Sequence, residues 1–436
     1  MREYMRMRMK MRTGWCAAIA LGSYLSCAGV QAAMVNLAQI KSGEYLSRAG
    51  DCIACHTAVG RPSFAGGLKM MMPFGAIYST NITPDVETGI GNYSEQDFSR
   101  ALREGIAKDG HHLYPAMPYP SFSKITDHDV HDLYVYFMYQ VPAVRQENRH
   151  SDIPFPLNQR FPLALWDNIF AASQTYYSDP QKTADWNRGA YLVQGLGHCG
   201  SCHTPRGVGY QEKALDQTST RYLSGGTLEG WHAPNLRGDT TTGLGQWNEG
   251  EISQFLKLGH IERATAFGSM AEVIHNSTQY LSDADRQAIA AYLKSFPADG
   301  NFRVQVNDNG TTNRLDNAVA SIPGAQLYLD HCADCHLSSG QGETNRYPPL
   351  AQNPVVVSDD PSSLINLVLN GSHAPTTQFT PKDIKMPGFS AELDDKEIAD
   401  VLTFIRHGWG NQARAVTAAQ VNEMRKLTAK QSQVSN

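Results

Sequence analysis

"GHCGSCHTPRG", Gly197 to Gly207, admits two readings. Cys199, Cys202 and His203 form C-x-x-C-H, the attachment signature of a c-type haem. Gly195, Gly197 and Gly200 spell G-x-G-x-x-G, the fingerprint of a dinucleotide loop. The rest of the cysteines decide between them. The chain has eight. Cys16 and Cys27 fall in an N-terminal leader, and the other six form three pairs: Cys52 and Cys55, Cys199 and Cys202, Cys332 and Cys335. Each pair is followed at once by a histidine: His56, His203 and His336.

Other uses of paired cysteines fail on spacing. A disulfide framework joins separated loops, whereas these partners sit three residues apart. A structural zinc site gathers two C-x-x-C pairs into one short module, and here the pairs are more than a hundred residues apart. A thioredoxin-like motif does not recur three times with histidine attached. Haem fits: cysteines at i and i+3 share one side of a helical turn and can each form a thioether to one porphyrin edge. The next residue then brings its imidazole to the iron. The glycine pattern is a decoy, since a cysteine and a histidine fill its variable positions and no acidic residue in a following strand supports a Rossmann unit.

The leader is the basic, then apolar, N-terminus. Arg2, Arg6, Arg8, Lys10 and Arg12 precede a short apolar stretch, Gly14 to Gly29, and Val30 and Ala32 suit a cleavage site. Residues 1–33 therefore read as a secretory signal peptide of the Sec type, without a twin arginine; a membrane anchor and a lipoprotein at Cys27 are the weaker alternatives. Removing them takes away five basic residues and one acid, leaving 32 basic against 41 acidic residues, a net charge of −9. That balance argues against a nucleic-acid partner.

The haem motifs recur at intervals of 147 and 133 residues, too long for a solenoid and suited to three domains. "TGIGNYSEQDFSRALREG" (88–105) matches "TGLGQWNEGEISQFLKLG" (242–259), with a shadow in "DDPSSLINLVLNG" (359–371). Each unit closes on an amphipathic helix, capped in turn by Thr126, Ser282 and Asp394. Tyr136, Tyr292 and Phe404 occupy one place in that helix, and Gly43, Gly189 and Gly324 one place before each haem motif. Small glycine against a large aromatic predicts that first and last helices cross closely.

A second axial ligand is offered at one repeat position: Met117, Met270 and Met386, which lie 61, 67 and 50 residues beyond the proximal histidines. Thioether ligation raises the potential and closes the iron to small ligands. A lone methionine would be core filler; three at one position point to ligation. In the first repeat Met72, His111 and His112 compete, the two histidines by offering a bis-histidine haem.

These residues resemble the triple-haem cytochrome c subunits of bacterial membrane-bound alcohol, sugar and sugar-acid dehydrogenases, including the gluconate 2-dehydrogenase type. The likeness spans nearly all of 36–425, through "GEYLSRAGDCIACHT", "IYSTNITPD", "LYPAMPYPSF", "GHCGSCHTPRG", "YPPLAQNPVV", "MPGFS" and "RHGWGN". It implies a mainly α chain of three class I cytochrome c domains in tandem at 34–148, 186–300 and 322–411. A Pro- and aromatic-rich segment (149–185) and a linker (301–321) join them, and a tail follows (412–436). It implies three covalent haems c, held through Cys52, Cys55, Cys199, Cys202, Cys332 and Cys335, with axial pairs His56/Met117, His203/Met270 and His336/Met386.

The resemblance also implies partners: a FAD- or PQQ-dependent large subunit, with or without a small subunit, that oxidises a sugar, a gluconate-like sugar acid or an alcohol. Electrons then pass to ubiquinone at the outer face of the inner membrane, in the periplasm. No substrate-oxidising motif is visible, so no catalytic residue is expected and the chain reads as a non-catalytic electron-transfer subunit. A free periplasmic shuttle is the alternative; a peroxidase would need an open iron.

Two features depart from the family. Pro234 and Pro348-Pro349 offer a carbonyl to the proximal imidazole, but "STNITPD" has threonine there, which puts that contact in doubt in repeat one. The family's C-terminal helix helps to hold the membrane; here Val416, Val421, Met424 and Leu427 fall only partly on one face. The segment 141–187, with "DIPFPLNQRFPLALWDNIF", is no flexible tether and is expected to pack across domains or against the catalytic partner. Residues 298–321 look polar and mobile.

Overall fold

The computed structural model describes residues 37–171, 174–298, 308–317, 322–344, 346–380 and 384–435; the expected leader, 1–33, lies outside them. Among the described residues strands occur only as four two-stranded antiparallel pairs, and helices carry the architecture.

Three successive sets of helices follow the sequence repeats. Each begins with a helix ahead of a cysteine pair: 37–49, Ala184–Gln194 and Ala325–His331. Each has a middle helix, Glu95–Glu104, Glu249–Leu258 or Ser362–Asn370. Each closes on a longer one, Asp127–Tyr139, Asp283–Lys294 or Asp395–His407. Local chemistry sets the ends. Ser94 and Asp97, and Asn248 and Glu251, form capping boxes that satisfy free N–H groups at the first turn. Gly105 and Gly259 end those helices in the left-handed conformation. Thr126, Ser282 and Asp394 cap the closing helices as expected.

The glycines are the pivot of each set. A Cβ on Gly43 would lie 2.0 Å from the Asp132 carbonyl oxygen and 2.5 Å from Tyr136 Cβ; on Gly189 it would lie 2.0 Å from the Ala288 oxygen and 2.8 Å from Tyr292 Cβ. First and last helices therefore cross at backbone contact. In the third set Gly324 meets Asp400 and Val401 rather than Phe404, with its Cβ position 2.2 Å from the Asp400 oxygen.

The first two sets share one hydrophobic core: Leu46, Ile125 and Leu133 belong to the same cluster as Leu192, Ile289 and Tyr292. The third has its own, around Tyr328, Ile398, Leu402 and Trp409. Its contacts with the second set include apolar ones, Met424 and Leu427 against Gly230 and Pro375 against Gly259, and several hydrogen bonds. Thr227 donates to Asp360 at 2.6 Å, the His232 N–H donates to Ser363 Oγ at 2.8 Å, and His275 Nδ1 donates to the Thr376 carbonyl at 2.6 Å.

The connecting segment packs across sets, as its composition predicts. On the helix Leu163–Phe170, Trp166 Nε1–H donates to the Gly209 carbonyl at 2.8 Å in the second set. Asp167 accepts from Tyr119 Oη and from His112 Nδ1, each at 2.5 Å, in the first. Phe161, Leu165 and Ile169 stay exposed on the other side.

The structure bears on two readings of mobile or membrane-facing chain, although within 298–321 residues 299–307 and 318–321 lie outside the described ones. Within 298–321, Gly310–Asp316 is a helix whose Thr311 and Leu315 are buried, and Thr311 Oγ1 accepts from the Trp409 N–H at 3.1 Å. In the tail, Val416, Val421 and Met424 are buried in the third core. Their apolar side is spent inside the protein, so only Leu427 of the expected membrane face remains exposed. Among the described residues no helix is long and apolar enough to cross a membrane.

Candidate haem-binding sites

Each C-x-x-C-H lies on a short helical turn: Cys52–His56, Gly200–His203 and Ala333–His336, with Cys199 and Cys332 at the N-caps of the latter two. The i, i+3 spacing sets both thiols of a pair on one side of that turn, and none of the six is in a disulfide. Burial pushes the thiols of Cys52, Cys199 and Cys332 up to about 12.

The three histidines are held alike. His56 Nδ1 donates to the Thr80 carbonyl at 2.7 Å, His203 Nδ1 to Pro234 at 2.7 Å, and His336 Nδ1 to Pro348 at 3.0 Å. A proton fixed on Nδ1 leaves the Nε2 lone pair as the free ligand. Burial keeps the rings neutral: His203 is pushed down to about 4, and His56 and His336 also fall below the ordinary value. The doubt over repeat one is resolved, because the acceptor is a main-chain carbonyl, which threonine supplies as well as proline does.

The methionines occupy one sequence position but three backbone settings. Met117 sits in a turn, Met270 on the helix Gly268–Asn276 and Met386 on the strand Lys385–Met386. All three are half-buried. Met117 and Cys52 pack on the shared core, and Met386 and Cys332 on the third. One rival is otherwise engaged. Met72 pairs with Gly75 in a hairpin and joins Phe74, Tyr114 and Ile153 in a small separate cluster. His112 and His111 are also bonded through Nδ1, to Asp167 and to Asp109, each at 2.5 Å, which leaves Nε2 of each open and so does not by itself remove them as rivals to Met117.

The first two sites adjoin. The helix bearing Met270 packs against Cys52–His56. Cys55 lies within electrostatic reach of Cys202, and Glu229 is close to both. On the reciprocal side the Phe122 ring meets His198 edge to face, centroids 5.5 Å apart. Paired thiols, a neutral imidazole in one tautomer and a half-buried thioether, present three times, form a donor set that fits haem c.

Sequence reading missed two groups of residues. One is Tyr45 with Asp285 and Tyr191 with Asp129, which join the first two sets; the matching place in the third repeat, two residues after Gly324, is Gln326, and that difference was visible. The other is Asn148, which no spacing rule marks.

The geometry defines a class, and comparison with known proteins agrees. The family model for cytochrome c matches residues 187–297 and 321–409. The chain is 46% identical over 430 residues to the cytochrome c subunit of the quinone alcohol dehydrogenase of Gluconobacter oxydans (strain 621H), covering 96% of this chain and 89% of that one. It is 48% identical over 416 residues to the gluconate 2-dehydrogenase cytochrome c subunit of Pantoea cypripedii, covering 94% of each. It is 38% identical over 409 residues to the fructose dehydrogenase cytochrome subunit of Gluconobacter japonicus, covering 88% of this chain and 82% of that one. The chain is a cytochrome c, an electron-transfer protein whose cofactor is covalently bound haem c. Within that class it belongs to the family of cytochrome c subunits of dehydrogenase complexes.

Proposed function

We propose that the chain carries three haems c in three class I cytochrome c domains, 34–148, 186–300 and 322–411, and relays electrons for a dehydrogenase. The observation that carries this reading is the recurrence, in all three repeats, of a C-x-x-C-H histidine whose Nδ1 is bonded to a main-chain carbonyl. Cys52 and Cys55, Cys199 and Cys202, and Cys332 and Cys335 would hold the porphyrin edges. His56/Met117, His203/Met270 and His336/Met386 would be the axial pairs. When bound, each haem supplies a reversible one-electron site. The protein's part is to present each imidazole in one tautomer, to shield the sites from water, and to keep the first two rigidly side by side.

The partner is a catalytic subunit with FAD or PQQ that oxidises a sugar, a sugar acid or an alcohol, and the acceptor is ubiquinone. The setting is the periplasmic face of the inner membrane. The names of the alcohol, gluconate and fructose dehydrogenase subunits above support a dehydrogenase as the partner. With a net charge of −9 the processed chain would favour a basic docking face on that partner.

Haem content per chain tests the count: a pyridine haemochrome assay should give three, and two would overturn it. Purifying the native complex from membranes tests the partner. FAD bleached by gluconate or a sugar, or PQQ bleached by ethanol, with the haems reduced in step, is the expected result. A chain recovered with no large subunit would overturn the subunit reading in favour of a free shuttle.

A further inference from the structure

The three proximal carbonyls are alike as acceptors but not in what lies behind them. A peptide unit is planar, so its C=O and the next residue's N–H point in opposite directions and are fixed together. Behind Pro348 stands Pro349, which has no N–H to bind. Behind Pro234, the Asn235 N–H makes no hydrogen bond among the described residues, and the Asn235 side chain accepts from the Arg237 N–H at 2.8 Å in its own loop. Behind Thr80, the Asn81 N–H donates to Asn148 Oδ1 at 2.7 Å. Asn148 belongs to the stretch leaving the first domain, and its orientation is set because its Nδ2 donates to the Thr88 carbonyl at 3.1 Å.

The arrangement is braced on both sides. Asn81 is buried, its Nδ2 donates to the Val144 carbonyl at 2.7 Å, and its Oδ1 accepts from Thr83 N at 2.9 Å and Thr83 Oγ1 at 2.7 Å. The result is one chain of hydrogen bonds, His56 Nδ1–H to Thr80 C=O and, through the same peptide, Asn81 N–H to Asn148 Oδ1. Such chains polarise cooperatively: an amide whose N–H is bonded has a more electron-rich carbonyl. A stronger acceptor on Nδ1 makes the imidazole a more basic ligand, which favours the ferric state.

We propose that Asn148 is a positioning residue for the first haem alone: by accepting the Asn81 N–H it strengthens and aims the Thr80 carbonyl, and so lowers the reduction potential set by His56. The proposal rests on the reading of His56 as an axial ligand. It gives the chain a means of making chemically identical haems unequal, through a side chain that touches neither ligand nor porphyrin edge.

Asn148 is exposed, so its replacement leaves the core intact. The test is a redox titration of the purified holoprotein, with each haem followed through its own haem-methyl resonances. Asn148→Ala should make the first haem easier to reduce, raising its reduced-to-oxidised ratio about threefold at a fixed potential, the equivalent of part of one hydrogen bond. The other two should not move. Asn148→Asp supplies a stronger acceptor and should shift the first haem the opposite way. That shift should exceed the effect of Arg145→Ala, which changes the net charge equally from three residues away without touching the peptide. An unmoved first haem in Asn148→Ala, a shift common to all three haems, or an Asn148→Asp effect no larger than that of Arg145→Ala would overturn the proposal. Failure of the underlying reading is seen separately, as a wild-type protein lacking a His56-ligated haem.

Discussion

Tyr45 donates its hydroxyl proton to Asp285 at 2.6 Å across the boundary between the first and second repeats, and Tyr191 returns the same contact to Asp129 at 2.5 Å. The backbone repeats the exchange: Ser282 N–H donates to Tyr45 Oη and Thr126 N–H to Tyr191 Oη. Two sequence-equivalent residues thus make reciprocal contacts, which is the signature of a pseudo-two-fold pair. Tyr45→Phe and Tyr191→Phe should each cost about 1.5–3 kcal/mol of stability, as for a hydrogen bond to a charged acceptor. Asp285 keeps Arg188 as a partner, at 2.8 and 2.7 Å, so Tyr45→Phe should be the milder of the two. Urea unfolding of both variants checks this; wild-type midpoints in both would show that the pair adds nothing.

Gly43 and Gly189 should not tolerate a methyl group. With a carbonyl oxygen 2.0 Å from the Cβ position, Gly43→Ala or Gly189→Ala must push two helices apart, and overpacking of this kind costs about 1–3 kcal/mol or more. Gly110 has open space around it, and Gly110→Ala should lose only what its positive φ imposes. Melting temperatures of the three variants should rank accordingly.

Stability should fall as pH rises through the range of Asp51. Burial, reinforced by the nearby Glu272 carboxylate, pushes the Asp51 carboxyl up to about 8, and its Oδ1 is buried without a hydrogen-bond partner. The unfolded chain loses this proton near pH 4 and the folded protein only near 8, so between these values the folded state holds the extra proton and each rise in pH favours unfolding. Asp51→Asn keeps the shape, suits the left-handed backbone at this position (φ 50°), and should remove that pH-dependent penalty. Melting curves from pH 5 to 8 should be flatter in the variant; parallel curves would show Asp51 to be ionised in the folded protein.

Replacing Met117, Met270 or Met386 by leucine should each remove about one-third of the sulfur-to-iron charge-transfer absorption and lower one potential, since thioether ligation raises it. Met72→Leu should leave the spectrum unchanged, because Met72 serves a packing cluster. A full spectrum in Met117→Leu would point to His111 or His112 instead.

Most features read correctly from sequence were those that act locally. A C-x-x-C-H on one helical turn, or a Thr or Ser at an N-cap, carries its reason within a few residues; the crossings of Gly43 with Tyr136 and Gly189 with Tyr292 join distant residues and were legible only because the pattern repeats. The Thr80 carbonyl was left in doubt because a main-chain acceptor leaves no mark on residue type. What the tail packs against was left open because the periodicity of Val416, Val421 and Met424 says that one face is apolar, not what covers it. Tyr45 and Asp285 are 240 residues apart, and their meeting depends on how two whole units dock.

That docking also constrains the order in which the molecule can be assembled. Leu46 and Ile125 belong to one core with residues as late as Ile289 and Phe296, so a growing chain that has produced only its first cysteine pair lacks part of that core. The first two motifs are expected to stay open until the second closing helix has been made, and then to close as one body. The third, enclosed by its own core, can follow on its own schedule. A ribosome-stalled or truncated chain ending near residue 150 should therefore be protease-sensitive even with haem attached, whereas one ending near 298 should already be resistant.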